Sequence, residues 1–137
     1  MEGVNKDDKQ EGPYKIFRAN GQLQEEGFFV DYGIEGINKR YYENGALHLE
    51  TTYKDGVPHG PYKQYYESGK LMQEGSYKDG KDHGPFKIYY ESGNVQQTGT
   101  EDNGQTDGVC TTYDENGKVK SVENFKNGVL IDRKTFD

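Results

Sequence analysis

Three positions along the chain carry aromatic or branched aliphatic side chains at a constant interval of 24 residues. The first row is Phe17, Tyr41, Tyr65, Tyr89 and Tyr113. The second is Leu23, Leu47, Leu71, Val95 and Val119. The third is Phe29, Tyr53, Tyr77 and Phe125, with Glu101 as the exception. A fixed period of this length marks a repeat array, in which each unit leans on its neighbours. No window places apolar residues at helical spacing, and glycine breaks every run within about ten residues.

Glycine supplies the punctuation. Each unit opens on one, at Gly12, Gly36, Gly60, Gly84 and Gly108. A second follows at Gly21, Gly45, Gly69, Gly93 and Gly117, always after Asn or Ser, which between aromatic runs signals a hairpin. A third, at Gly56, Gly80, Gly104 and Gly128, predicts a looser turn into the next unit. In the first unit it is displaced to Gly33. A fourth, at Gly27, Gly75 and Gly99, lies inside the returning strand and leaves space for a ring or a bulge. The units are 12–35, 36–59, 60–83, 84–107 and 108–131. A polar leader or cap, 1–11, precedes them, and a closing strand or cap, 132–137, follows. The predicted fold is all-β: tandem antiparallel hairpins in one elongated, twisted sheet of about ten strands, on the order of 50 Å long at ~4.8 Å per strand.

The buried face depends on the hairpin loop. A three-residue loop ending in a bulged glycine sets Tyr65 opposite Leu71 and puts Tyr77 on the same face. A two-residue loop pairs Tyr66 with Leu71 and Lys63 with Glu74. The first gathers all three strict rows on one side and is preferred. The other face then carries a second aromatic stripe of Tyr14, Tyr42, Tyr62, Tyr66, Phe86 and Tyr90. These rings either stack along the sheet or form a partner-binding surface.

Composition sharpens this picture. Leu, Ile, Val and Phe make up only 24 of 137 residues, and the net charge is −7, values at which disorder is the default. Twelve tyrosines and the phasing of the apolar residues overturn that default and predict a thin, ordered sheet. The acidic balance argues against nucleic acid and against a general anionic-lipid surface. No run approaches the ~20 residues of a membrane span. MEGVNKDDKQ lacks the apolar core of a signal peptide, and the single cysteine, Cys110, fits a reducing, cytoplasmic compartment. Charged end strands argue for a monomer.

No phosphate loop, nucleophile elbow, dinucleotide fingerprint or zinc helix is present. His59 and His83 fall on equivalent turns 24 residues apart, too far for one metal site. Cys110 stands where other units place a ring, as a small packing residue. Glu101 to Asp107 resembles a calcium loop only in composition, with Tyr113 where the bidentate glutamate belongs. Glu43, Glu67, Glu91 and Glu115 repeat before each hairpin turn as a solvated face. The expectation is no catalysis, no cofactor and no metal. Glu101 breaks an aromatic row, which predicts an exposed carboxylate, local irregularity over Thr100 to Asp107 and a weak joint, or else a notch for a partner or cation.

HGPYKQYYESGKL, HGPFKIYYESGNV and the KDG turns resemble MORN repeats, more closely the bacterial variant form. The resemblance covers residues 12 to about 131. It implies tandem hairpins and a scaffolding or interaction module binding a protein partner, with membrane contact in some members and an antitoxin label on many bacterial ones. A ligand binder of the choline-binding, cell-wall type is the alternative, although this chain has no tryptophan for its aromatic cages. An elongated sheet has a solution radius of gyration above the ~14 Å of a compact 137-residue domain. Small-angle scattering measures it, and a value at the compact limit would mean a closed barrel.

Overall fold

The computed structural model describes residues 4–6 and 9–137, with side chains from Glu11 onward. All regular structure among them is strand: β1 (Val4–Lys6), β2 (Lys9–Phe17), β3 (Leu23–Val30), β4 (Gly33–Ile34), β5 (Gly36–Tyr41), β6 (Leu47–Lys54), β7 (Val57–Tyr65), β8 (Leu71–Lys78), β9 (Lys81–Asp82), β10 (Gly84–Tyr89), β11 (Val95–Asp102), β12 (Gln105–Thr106), β13 (Gly108–Tyr113), β14 (Val119–Lys126) and β15 (Val129–Thr135). They form one open antiparallel sheet in chain order. Glu35, His83 and Asp107 separate the short β4, β9 and β12 from the strands that follow them. The leader predicted at 1–11 lies partly outside the described residues; within them, β1 pairs with the start of β2. At the far end β15 pairs with β14.

The aromatic runs end in the expected loop. In the third unit Gly69 N–H donates to Tyr66 O at 2.9 Å, and Tyr66 N–H donates to Lys70 O at 2.8 Å. Gly69 stands at φ +95°, a conformation that glycine adopts without a Cβ penalty. Tyr65 faces Leu71. A second bulge then intervenes. Gln64 faces Gln73, so Met72 has no opposite residue, and beyond it Lys63 faces Glu74. The two alternative loop registers each hold for one half of the hairpin. The same shift recurs in every unit.

This bulge corrects the predicted faces. One inserted residue moves every later side chain to the other side of the strand. Tyr77 therefore faces Gly60 and shares its side with Tyr62, not with Tyr65. The sheet has a ring face, with Tyr14, Tyr62, Phe86 and the Phe29–Phe125 row, and an opposite face with the Tyr65 and Leu71 rows. The KDG turns are also tighter than predicted. Lys54 faces Val57 across two residues, with Asp55 at φ 53° and Gly56 at φ 80°. Two positive values make the mirror-image turn that matches strand twist.

Neighbouring units are joined at both margins. At one margin Tyr42, Tyr66 and Tyr90 donate their hydroxyls to the carbonyls of Tyr65, Tyr89 and Tyr113 in the next unit, at 2.5, 2.6 and 2.6 Å. Arg18 does the same to Tyr41 O at 2.7 Å. At the other margin Gly80 N–H donates to Pro58 O and Gly104 N–H to Asp82 O, each at 2.8 Å.

The core is one side chain deep. Among the described residues only Tyr14, Asn38, Thr51, Tyr62 and Cys110 of the non-glycine residues are buried. The accessible surface is 8704 Å², against roughly 7,200 Å² for a compact protein of 15.6 kDa. Each core ring lies across a glycine on the opposite strand. A Cβ at Gly75 would stand 2.8 Å from Tyr62, and one at Gly99 2.7 Å from Phe86. Tyr14 and Gly27 repeat the pairing. Where the ring is absent the glycine is absent too: Asn38 faces Thr51, and Cys110 faces Glu123.

Gly75→Thr should therefore destabilise by about 1–3 kcal/mol, the scale of overpacking. Adding Tyr62→Asn, which copies the second unit's pair, should recover part of that loss. Urea unfolding of the three proteins checks it; equal losses for single and double variants would show that ring and glycine are not coupled.

Candidate binding surfaces

On the ring face around Tyr14, polar groups are paired with one another. Tyr14 donates its hydroxyl to Glu25 Oε2 at 2.6 Å, and Asn38 Nδ2 donates to Tyr14 Oη at 2.7 Å and to Glu25 Oε2 at 3.0 Å. Burial first, and then the Glu25 carboxylate, push the Tyr14 hydroxyl well above its ordinary range. Tyr62 packs against Tyr77 with ring centroids 4.8 Å apart.

The six residues of the second aromatic stripe divide into two sets. Tyr14, Tyr62 and Phe86 form part of the core row, and the first two are only 4% and 7% exposed. Tyr42, Tyr66 and Tyr90 lie at the hairpin margin, half-buried, with hydroxyls committed to the next unit. The second bulge divides the stripe by re-phasing the strands.

The opposite face holds two patterns that the hydrophobic rows did not reveal. One is a ladder of register partners across seven strands: Lys15, Glu26, Lys39, Glu50, Lys63, Glu74 and Lys87. Opposite charges alternate at every step, which favours this register over a slip. Tyr41 and Tyr89 donate their hydroxyls to Glu26 and Glu74. Burial and Glu26 push Tyr41 up to about 12; the Glu74 hydrogen bond and burial do the same for Tyr89. Beside the ladder runs an exposed apolar row of Pro13, Ile37, Pro61, Pro85 and Val109, with Phe28 next to it. Both patterns sit in the sequence at 24-residue spacing, but only the register aligns them.

Asn38 interrupts the ring face in the second unit, and a wider interruption follows where the fourth and fifth units meet. Glu101 replaces a ring in one row and Cys110 replaces a ring in the adjacent one. Together they open a cavity of about 270 Å³. The predicted irregularity over Thr100 to Asp107 is not observed. β11 runs through Glu101, which faces both Gly84 and Thr106. The carboxylate is half-buried and accepts from Thr106 Oγ1 at 3.3 Å. It stays inside because the missing rings leave room for it. Desolvation, with Asp82 adding to it, raises the Glu101 pKa.

Cys110 is 2% exposed and accepts from Gln97 Nε2 at 2.9 Å, and burial pushes its thiol up. His59 Nδ1 accepts from Asp79 N–H at 3.2 Å. Glu35 and Asp107 do the same for the turns that follow them, so three of the four residues at this position accept from a turn, while His83 Nδ1 has no hydrogen-bond partner among the described residues. His48 stacks on Tyr42 at 4.1 Å. Among the described residues no three His, Cys, Asp or Glu side chains converge to hold a metal ion, and no helix is long and apolar enough to cross a membrane.

The MORN repeat variant profile matches residues 10–31, 34–55, 58–79, 82–100 and 106–127. The chain belongs to the MORN repeat variant family. MORN repeats are generally protein- or lipid-binding repeat modules. No curated protein matches this MORN chain. Among solved structures, the crystal structure of TarM is similar over 85% of this chain at 14% identity and a TM-score of 0.44. This chain spans 21% of that one, and so weak a likeness says nothing about activity.

Because native Glu101 takes up its proton at higher pH than the unfolded chain does, its ionised form costs stability near neutrality. That cost is relieved as pH falls through the raised native value toward the ordinary carboxylate range. Glu101→Gln should raise the melting temperature at neutral pH, and its advantage over wild type should shrink on acidification. A pH series of thermal unfolding reads the difference; an advantage independent of pH would contradict it.

Proposed function

We propose that this protein is a non-catalytic repeat module that binds another protein through the ladder face. The observation that carries this is the exposed row of Pro13, Ile37, Pro61, Pro85 and Val109, with alternating Lys and Glu beside its first four members. A half-open sheet normally alternates apolar residues inward and polar residues outward. Here the outward positions are apolar at the same place in all five units. Periodic apolar contacts supply desolvated area, and the flanking charges set register on a partner. A cognate partner of the toxin–antitoxin kind is the finer form of this reading. The active species is a monomer in the cytoplasm, matching its buried free thiol.

Ile37 and Val109 are 54% and 57% exposed, so Ile37→Asp with Val109→Asp should leave the fold intact. A partner identified from native extract by mass spectrometry and then purified should bind wild type and a turn control, Ser68→Asp. It should lose affinity for the double variant by about 100-fold or more, on the scale of two interface contacts. Equal binding of all three proteins would overturn the docking face.

A further inference from the structure

The cavity on the ring face is built from the two ring deletions, and its walls are chemically mixed. Tyr62, Phe86 and Phe125 present aromatic surface; Asp82 and Glu101 present carboxylates. Glu123 also lines it, but Arg133 already donates to Glu123 Oε2 at 2.6 and 2.8 Å. Among the described residues no cationic side chain lies within ion-pairing distance of Asp82 or Glu101, and the one hydrogen bond to the Glu101 carboxylate comes from Thr106.

We propose that this cavity is a binding site for a small organic cation, an alkylammonium or guanidinium group. Three features select that chemistry. The cavity, about 270 Å³, is at the lower edge of ligand-pocket sizes and suits a small group or the tip of a side chain. Among the described residues no three ligating side chains gather here as a metal centre requires, whereas two carboxylates beside aromatic rings suit an organic cation. Ring faces attract such a cation, more strongly where water is partly excluded. The raised Glu101 pKa agrees with a carboxylate held without its counter-charge. The cation would lie across the gap in the ring row, with Glu101 on one side and rings of the third, fourth and fifth units around it. The site uses the ring face and does not depend on docking at the ladder face.

Amide NMR of the full chain tests this. Tetramethylammonium, n-butylammonium and methylguanidinium are titrated against sodium chloride at matched ionic strength. Saturable shifts are expected at Glu101, Thr106 and Cys110 with the organic cations and not with sodium. Glu101→Gln should weaken binding by about 10-fold, the order expected for loss of one charged contact, while Glu91→Gln, on a hairpin turn, should not. Gly-Lys-Gly and Gly-Arg-Gly peptides separate the two sources. Tighter binding of a peptide than of its free cation assigns the site to a partner's side chain, and the reverse assigns it to a free amine. Shifts that match sodium, fail to saturate, or persist undiminished in Glu101→Gln would overturn the proposal. Filling the cavity with Glu101→Tyr gives a second check, since it should abolish binding while keeping the fold.

Discussion

A single-layer sheet has nothing to pack against but itself, and every element of this molecule answers that constraint. With no helix or second sheet above it among the described residues, the core can only be made from side chains lying flat along their own strands. A flat ring needs an empty place beneath it. Gly27, Gly75 and Gly99 supply that place for Tyr14, Tyr62 and Phe86, and the ring in turn shields backbone that a glycine leaves bare. Such a core is thin, so much of the cohesion between units comes from hydrogen bonds at the margins, where Tyr66 reaches Tyr89 O and Gly80 reaches Pro58 O. Each bond contributes about 1 kcal/mol, and their regular recurrence makes the array a sum of similar joints.

The same economy explains the tyrosine content. A phenol can lie with its ring in the core and still satisfy its hydroxyl at a carboxylate or a neighbouring carbonyl, as Tyr14 and Tyr42 do. Phenylalanine serves only where no such acceptor is needed, as at Phe86. The alternating Lys and Glu side chains of the other face set the alignment of strands whose apolar content is too low to set it alone.

The architecture was legible because glycine at positive φ is a local requirement. The period and the three-residue loops could be taken directly from Gly69 and its equivalents. The division of faces could not. It turns on the second bulge, whose extra residue is Gln24, His48, Met72, Gln96 or Lys120 in successive units, with no shared chemistry to announce it. The missing clue was pairwise. Tyr62 with Gly75 and Asn38 with Thr51 change together within one chain, and Lys39 with Glu50 or Lys63 with Glu74 are opposite charges at matching positions. Either pairing fixes the register that single-position patterns left ambiguous. Glu101 shows the other limit. Its departure from the aromatic row was plain, but whether it would swing out or stay in depended on Cys110, which is adjacent only across the sheet.

The coincidence of Glu101 and Cys110 also shows how such a scaffold can acquire a recess. A globule that loses two core rings collapses or unfolds, because its remaining layers lean on the gap. Here the deletions touch only adjacent units, and the backbone on either side keeps its path through its own margins. The recess is thus portable. Writing the same two residues at Tyr77 and Phe86 would move it one unit toward the amino terminus, and the site would be addressed by its place in the array rather than by the shape of the whole molecule.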